Sequence, residues 1–188
     1  MFLRFLVPIL SLLLGHPASA FESAEGLQEL RGVMTDRLVV MEQIAKSKWN
    51  AGRPVEDVER EAAVLEMTTK MAVAEGLDPD RATRMVRAQM EAAKIVQSAF
   101  FAEWRAASVG KHADVADIAI TLRPEIGRLT RELIVAVVAA QDRLQDCHAS
   151  RVLMPVPDAV SGHPQAWAVA VEGVLATTGP CPAGDTGR

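Results

Sequence analysis

The chain has 188 residues, 49% of them hydrophobic and only 4% aromatic, with two cysteines, no tyrosine and a formal net charge of −4. A chain of this length buries roughly 70% of its unfolded surface as a single domain, which argues against disordered and disulfide-scaffold classes. The acidic balance, the scattered basic residues and the scarcity of aromatics for base stacking argue against nucleic acid as a partner.

Residues 1–20 read as a signal peptide. Arg4 precedes an apolar run over residues 5–14, and Ala18-Ser19-Ala20 supplies the small residues that a signal peptidase requires, with cleavage expected after Ala20. The run is too short to cross a hydrocarbon core of roughly 30 Å as a helix, and no later stretch is long and uncharged enough; an uncleaved anchor is the weaker alternative. The expected product is a periplasmic or secreted protein with no membrane association after cleavage. In an oxidising compartment Cys147 and Cys181 are an expected disulfide, worth roughly 2 to 4 kcal/mol if unstrained. No CxxC, no HExxH and no second Cys/His pair occurs, so no metal site is expected.

Apolar residues recur at helical spacing through the rest of the chain, and strand alternation is absent, so the expected fold is all-α. The first helix is expected over residues 23–49, ended by Gly52-Arg53-Pro54. A second begins near residues 55–57 and continues to 74, before Gly76-Leu77-Asp78-Pro79. A third covers residues 79–105. A fourth helical region starts at Asp114, passes Arg123-Pro124, where the proline starts or kinks it, and runs to Cys147. Beyond Met154 prolines cluster, leaving room for one short helix over residues 165–176 that carries Trp167. The expected organisation is a signal peptide over 1–20, one helical-bundle domain of about five to six helices over 21–181, and a disordered tail over 182–188. Phosphate loops and nucleophile elbows are missing from the sequence.

The first helix carries an anomaly. Its stripe, in steps of three and four, is Leu27, Leu30, Met34, Arg37, Met41, Ile44 and Lys48, so two cations stand where apolar side chains belong. Eleven residues make three turns plus roughly 20°, so Arg37 and Lys48 share a face. Burying an unpaired cation costs several kcal/mol, so either both snorkel to the rim or an anion meets them. The third helix places the amide of Gln97 in a stripe with Val86, Met90, Ala93, Phe100 and Trp104, with Ala93 leaving space one turn before it. Arg60 and Glu61 add a cation and a carboxylate after Asp57, where a charged first turn is also ordinary capping. Arg123 is a further cation at the start of a helix. Together these residues describe a dry pocket for a small compound with two anionic groups, needing no nucleophile, metal or general base.

These residues also carry a family resemblance. Asp36-Arg37-Leu38, Lys48-Trp49, the string Pro54-Val55-Glu56-Asp57-Val58-Glu59-Arg60-Glu61, and residues 89–97 as QMEAAKIVQ resemble the AroQ class of chorismate mutases. The signal peptide, the additional C-terminal helices and the cysteine pair are similar to its secreted, periplasmic gamma subclass. The motifs cover residues 25–105; the remainder matches mainly in length, in Arg123 and in the cysteines.

The resemblance implies the AroQ helical-bundle fold, a homodimer, and rearrangement of chorismate to prephenate with no cofactor. It implies that Arg37 holds a substrate carboxylate, that Lys48 bonds a carboxylate and the ether oxygen of the breaking bond, and that Gln97 is the second donor to that oxygen. Arg60 resembles the arginine on the pocket's carboxylate side. Asp57 and Glu61 occupy positions associated with the ring hydroxyl and with ordering the cations. Arg123 matches an arginine that the secreted subclass takes from the same chain. Ala93 stands where relatives often have Ser or Thr and Val64 where some have Gln, so both are expected to line the pocket without polar contact. An isochorismate pyruvate-lyase-like enzyme and a non-catalytic dianion-binding protein are the competing readings.

Overall fold

The computed structural model describes residues 18–176, with side chains from residue 25 onward. Most of the expected signal peptide, Cys181 and the expected tail over 182–188 lie outside the described residues. Within them the chain forms seven α-helical segments and no strand, and no helix is long and apolar enough to cross a membrane.

The first expected helix is two segments, α1 (Ala18–Val39) and α2 (Met41–Asn50). The expected cleavage point after Ala20 falls in the first turn of α1. The interruption sits at a Val39-Val40 pair, where β-branched side chains crowd the preceding turn. Val40 nevertheless keeps right-handed torsions (φ −66°, ψ −14°); its N–H donates to Asp36 O at 3.1 Å and its carbonyl accepts from Ile44 N at 3.2 Å. The stripe therefore continues across the break. Leu27, Leu30, Met34, Arg37, Met41 and Ile44 are all buried, and Lys48 is half-buried.

α3 (Val58–Ala74) starts just after the expected point because Asp57 caps it. The Asp57 carboxylate accepts from Arg60 N at 3.2 Å, and Glu61 Oε1 accepts from Asp57 N at 3.0 Å, so cap and first turn satisfy each other's free N–H groups. α4 (Pro79–Ala106) opens with proline in its first turn and with Asp78 accepting from Arg81 N at 2.9 Å.

The fourth region departs from expectation at both ends. Asp114 starts no helix; it sits in a turn at φ 53°. Asp117 is the cap instead, its carboxylate accepting from Ala119 N and Ile120 N at 2.7 Å each, and a π-helical segment Ile118–Leu122 leads into α5 (Arg123–Ala139). Pro124 stands in the first turn of α5, the position at which a proline starts a helix. Continuation to Cys147 fails because the chain turns after Ala139 and buries Leu144 completely, whose carbonyl accepts from Ala176 N at 3.0 Å. Tertiary packing wins there over a sequence with no helix breaker. α6 (His148–Leu153) and α7 (Pro164–Val174) complete the fold, α7 lying where the short C-terminal helix is expected.

The long α4 packs against α7, α3 and α2, while α5 packs against α1. Trp167 on α7 is fully buried, its indole N–H donating to Leu153 O at 2.9 Å. The loop between α4 and α5 is fastened to the end of α2: Asn50 Nδ2 donates to His112 O at 2.9 Å and Asn50 Oδ1 accepts from His112 N at 2.8 Å. Trp49 adds a bond to Gly110 O at 2.9 Å, and the ring of Trp104 meets that of His112 edge to face with centroids 4.2 Å apart.

Candidate active site

A cavity of about 540 Å³ opens between α2, α3, α4 and the start of α5. Its wall holds Arg37, Lys48, Asp57, Arg60 and Glu61, and also Val64, Ala93, Gln97 and Arg123. All nine pocket residues named from the sequence thus meet around one space.

Arg37 is the deepest of the cations, only 9% exposed. Among the described residues no carboxylate pairs with it; Nη1 donates to the Thr130 hydroxyl at 2.5 Å, and Nε is buried without a partner. Loss of water with no compensating anion pushes its pKa down to about 10, so it keeps its charge at neutral pH. Lys48 comes from the last turn of α2, and its ammonium donates to Val55 O at 2.6 Å. Burial lowers its pKa most; Glu61 and Asp57 pull it back up and Arg60 pushes it further down. Both cations are hydrogen-bonded by neutral oxygens; Arg37 meets no carboxylate among the described residues, while Lys48 also feels the charges of Glu61 and Asp57.

Gln97 is buried on α4. Its Nε2 donates to Ala93 O at 3.1 Å and makes a weak 3.5 Å contact to Met41 Sδ, while Oε1 has no partner. A thioether is a poor acceptor, so this amide N–H is available to a better one. Glu61 is shared: while Oε1 caps α3, Oε2 lies 3.3 Å from Lys94 Nζ, which also pairs with Glu91 at 3.0 Å. Arg60 and Arg123 are exposed at the rim.

Several wall residues read, from the sequence, only as core positions of their stripes or are not singled out at all. Met41, Met90, Ile118 and Ile126 make the apolar part, and Gln89 contributes a second buried amide, its Nε2 donating to Ala170 O at 3.0 Å with Oε1 unpartnered. The ladder Gln89, Ala93, Gln97 at four-residue steps is the signal that would have found it. As to metals, one trio of ligating groups gathers among the described residues, Asp146, Cys147 and His148 at consecutive positions outside the cavity wall. His148 Nδ1 and Asp146 Oδ1 are already engaged with each other at 2.8 Å.

The arrangement can bind a small compound carrying two negative groups and place hydrogen-bond donors on a third, uncharged oxygen. Fold and site thus define an all-α protein with a cation-lined small-molecule pocket that opens to solvent at its rim. The chain belongs to the chorismate mutase type II family, whose model matches residues 28–98. The crystal structure of chorismate mutase from Burkholderia thailandensis is 32% identical, covers 79% of this chain and 98% of that one, and superposes with a TM-score of 0.68. The monofunctional chorismate mutase of Enterobacter agglomerans is 31% identical over 115 residues, 61% of this chain and 62% of that protein. The secreted chorismate mutase of Mycobacterium tuberculosis is 30% identical over 92 residues, 49% of this chain and 46% of that protein. The matched segments span less than two thirds of either curated relative.

Proposed function

We propose that this cavity binds chorismate and catalyses its rearrangement to prephenate. The observation that carries the reading is Arg37, a buried, charged guanidinium with no carboxylate partner, facing one cavity with Lys48 and Gln97. The reaction is unimolecular: one C–O bond breaks as one C–C bond forms, and no proton or electron is exchanged with the protein. Arg37, with Arg60 and Arg123 at the rim, holds the two carboxylates and so selects the compact conformer in which the bonding carbons approach. Lys48 and Gln97 donate to the ether oxygen, where negative charge grows as the bond lengthens, so they stabilise the transition state more than the substrate. Gln97 does this by exchanging its weak thioether contact for the oxygen. Asp57 and Glu61 order the cations and meet the ring hydroxyl, while Val64 and Ala93 give the wall shape without polar contact. No cofactor takes part.

We further propose that residues 1–20 direct export and are removed, that residues 21–181 act as one helical domain, that Cys147 is bridged to Cys181, and that the chain forms a homodimer. The resemblance of the sequence to secreted relatives supports export.

The test is to incubate the purified exported chain with chorismate and follow its disappearance with the appearance of prephenate. Lys48→Met is expected to lose roughly two orders of magnitude or more in kcat with its helical content kept, since a desolvated transition-state donor is worth about 3 kcal/mol. Turnover retained in that variant refutes the mechanism. Pyruvate release from isochorismate in its place would indicate the lyase reading. Alkylation under non-reducing conditions reads the bridge, and sedimentation reads the oligomer.

A further inference from the structure

Arg37 is buried, long and, among the described residues, unpaired by any acid, so in the empty protein something else must fix where its guanidinium points. The contact that does so comes from α5. Thr130 Oγ1 accepts from Arg37 Nη1 at 2.5 Å and donates its own proton to Ile126 O at 2.6 Å. With the hydroxyl proton committed to a carbonyl one turn back, the oxygen can face the guanidinium only as an acceptor. The β-branched side chain adds stiffness, because a helical threonine with this back-bond has its χ1 settled. Both of its partners line the cavity, whereas Thr130 itself does not. It stands behind Arg37.

We propose that Thr130 is a positioning residue for the site, holding Arg37 in its anion-binding orientation without neutralising it. The choice of a hydroxyl is the point. A carboxylate at 130 would orient the guanidinium equally well but would cancel the charge the ligand must meet. A valine would leave the charge intact and its direction unset. The proposal rests on the reading of the cavity as a dianion site, and its test keeps the two apart.

The variants are Thr130→Ser, Thr130→Val and Thr130→Asp, each read in two ways. The first readout needs no substrate: the ¹H–¹⁵N guanidinium resonances of Arg37 in the empty protein. These are expected to be protected from exchange in the wild type and in Thr130→Ser, and broadened or lost in Thr130→Val. In Thr130→Asp they are expected to stay protected. The second readout is KM and kcat for chorismate. Thr130→Ser is expected to stay within about threefold of wild type, Thr130→Val to raise KM about tenfold or more, and Thr130→Asp to raise it further in spite of its ordered guanidinium. Wild-type resonances or wild-type KM in Thr130→Val overturns the proposal, as does a KM in Thr130→Asp equal to wild type. Should Thr130→Val fail to fold, the Ser and Asp variants carry the same comparison. A wild-type chain that leaves chorismate unchanged defeats the functional reading alone, and the resonances still decide what Thr130 does.

Discussion

Gly173 on α7 faces Ala88 on α4 at a separation that leaves no room for a side chain: a Cβ built on Gly173 overlaps Ala88 Cβ and also meets Ala88 Cα and Met85 O at 3.6 Å. What it would strike is the Ala88 methyl group, which cannot swing away without moving the backbone that carries it. Glycine inside a helix ordinarily costs up to about 1 kcal/mol relative to alanine. Here it permits the close packing of the two helices that Gln89 and Ala170 then bridge by their hydrogen bond.

Gly173→Ala is therefore expected to destabilise the protein by about 1 to 3 kcal/mol, opposite in sign to the same change on an open helix face. Urea unfolding with an unchanged m-value checks it. A variant as stable as wild type would show that α7 can shift at no cost.

Arg37→Met is expected to raise stability while removing function. The folded pKa of Arg37, about 10, lies below its ordinary value, so folding disfavours the charged form. That penalty is fully present below pH 10 and fades as pH rises through it. Replacing the guanidinium by an apolar chain of similar reach is thus expected to gain on the order of 1 to 3 kcal/mol at pH 7, partly offset by the lost bond to Thr130. Thermal unfolding and chorismate binding are measured on the same sample; lower stability together with retained binding contradicts the account.

The pH profile separates Lys48 from Gln97. Lys48 must hold its proton to donate, and burial sets its pKa below the ordinary lysine range. The alkaline limb of kcat/KM is therefore expected to begin earlier than for an exposed lysine, and in Lys48→Arg to move up to the limb near pH 10 at which Arg37 itself loses charge, whatever that variant's remaining rate. Gln97 does not titrate, so between pH 5 and 8 it contributes no change. A steep fall in that interval that disappears in a Gln97 variant would contradict its assignment.

The stripe in α1 and α2 was legible because charge at a core position is a strong local signal: Arg37 and Lys48 announce themselves by where they fall in the period, whereas Asp57 came into view through the family resemblance of the string around it. Thr130 was not legible, and Gln89 only through its four-residue steps to Ala93 and Gln97. Threonine and glutamine are ordinary on any helix, and each matters through a partner 93 or 81 residues away in the chain. The start of α5 was misplaced for another reason. Two aspartates three residues apart look alike as caps, and only the turn at Asp114 decides that Asp117 takes the role. The end of α5 depends on burying Leu144, whose carbonyl accepts from Ala176 N just after α7, a contact with no local mark.

Asn50 lines no wall of the cavity, yet it stands two residues from Lys48 and grips His112, which leads through Asp117 to Arg123. That amide side chain, together with the Trp49 bond to Gly110, ties the end of α2 that carries Lys48 to the loop that leads to Arg123. It works as a gauge block between them. If the cavity takes a dianion as proposed, this frame behind the wall fixes the spacing of the cations, and a longer or shorter dianion is expected to meet a mismatch in length before any difference in its chemistry is felt.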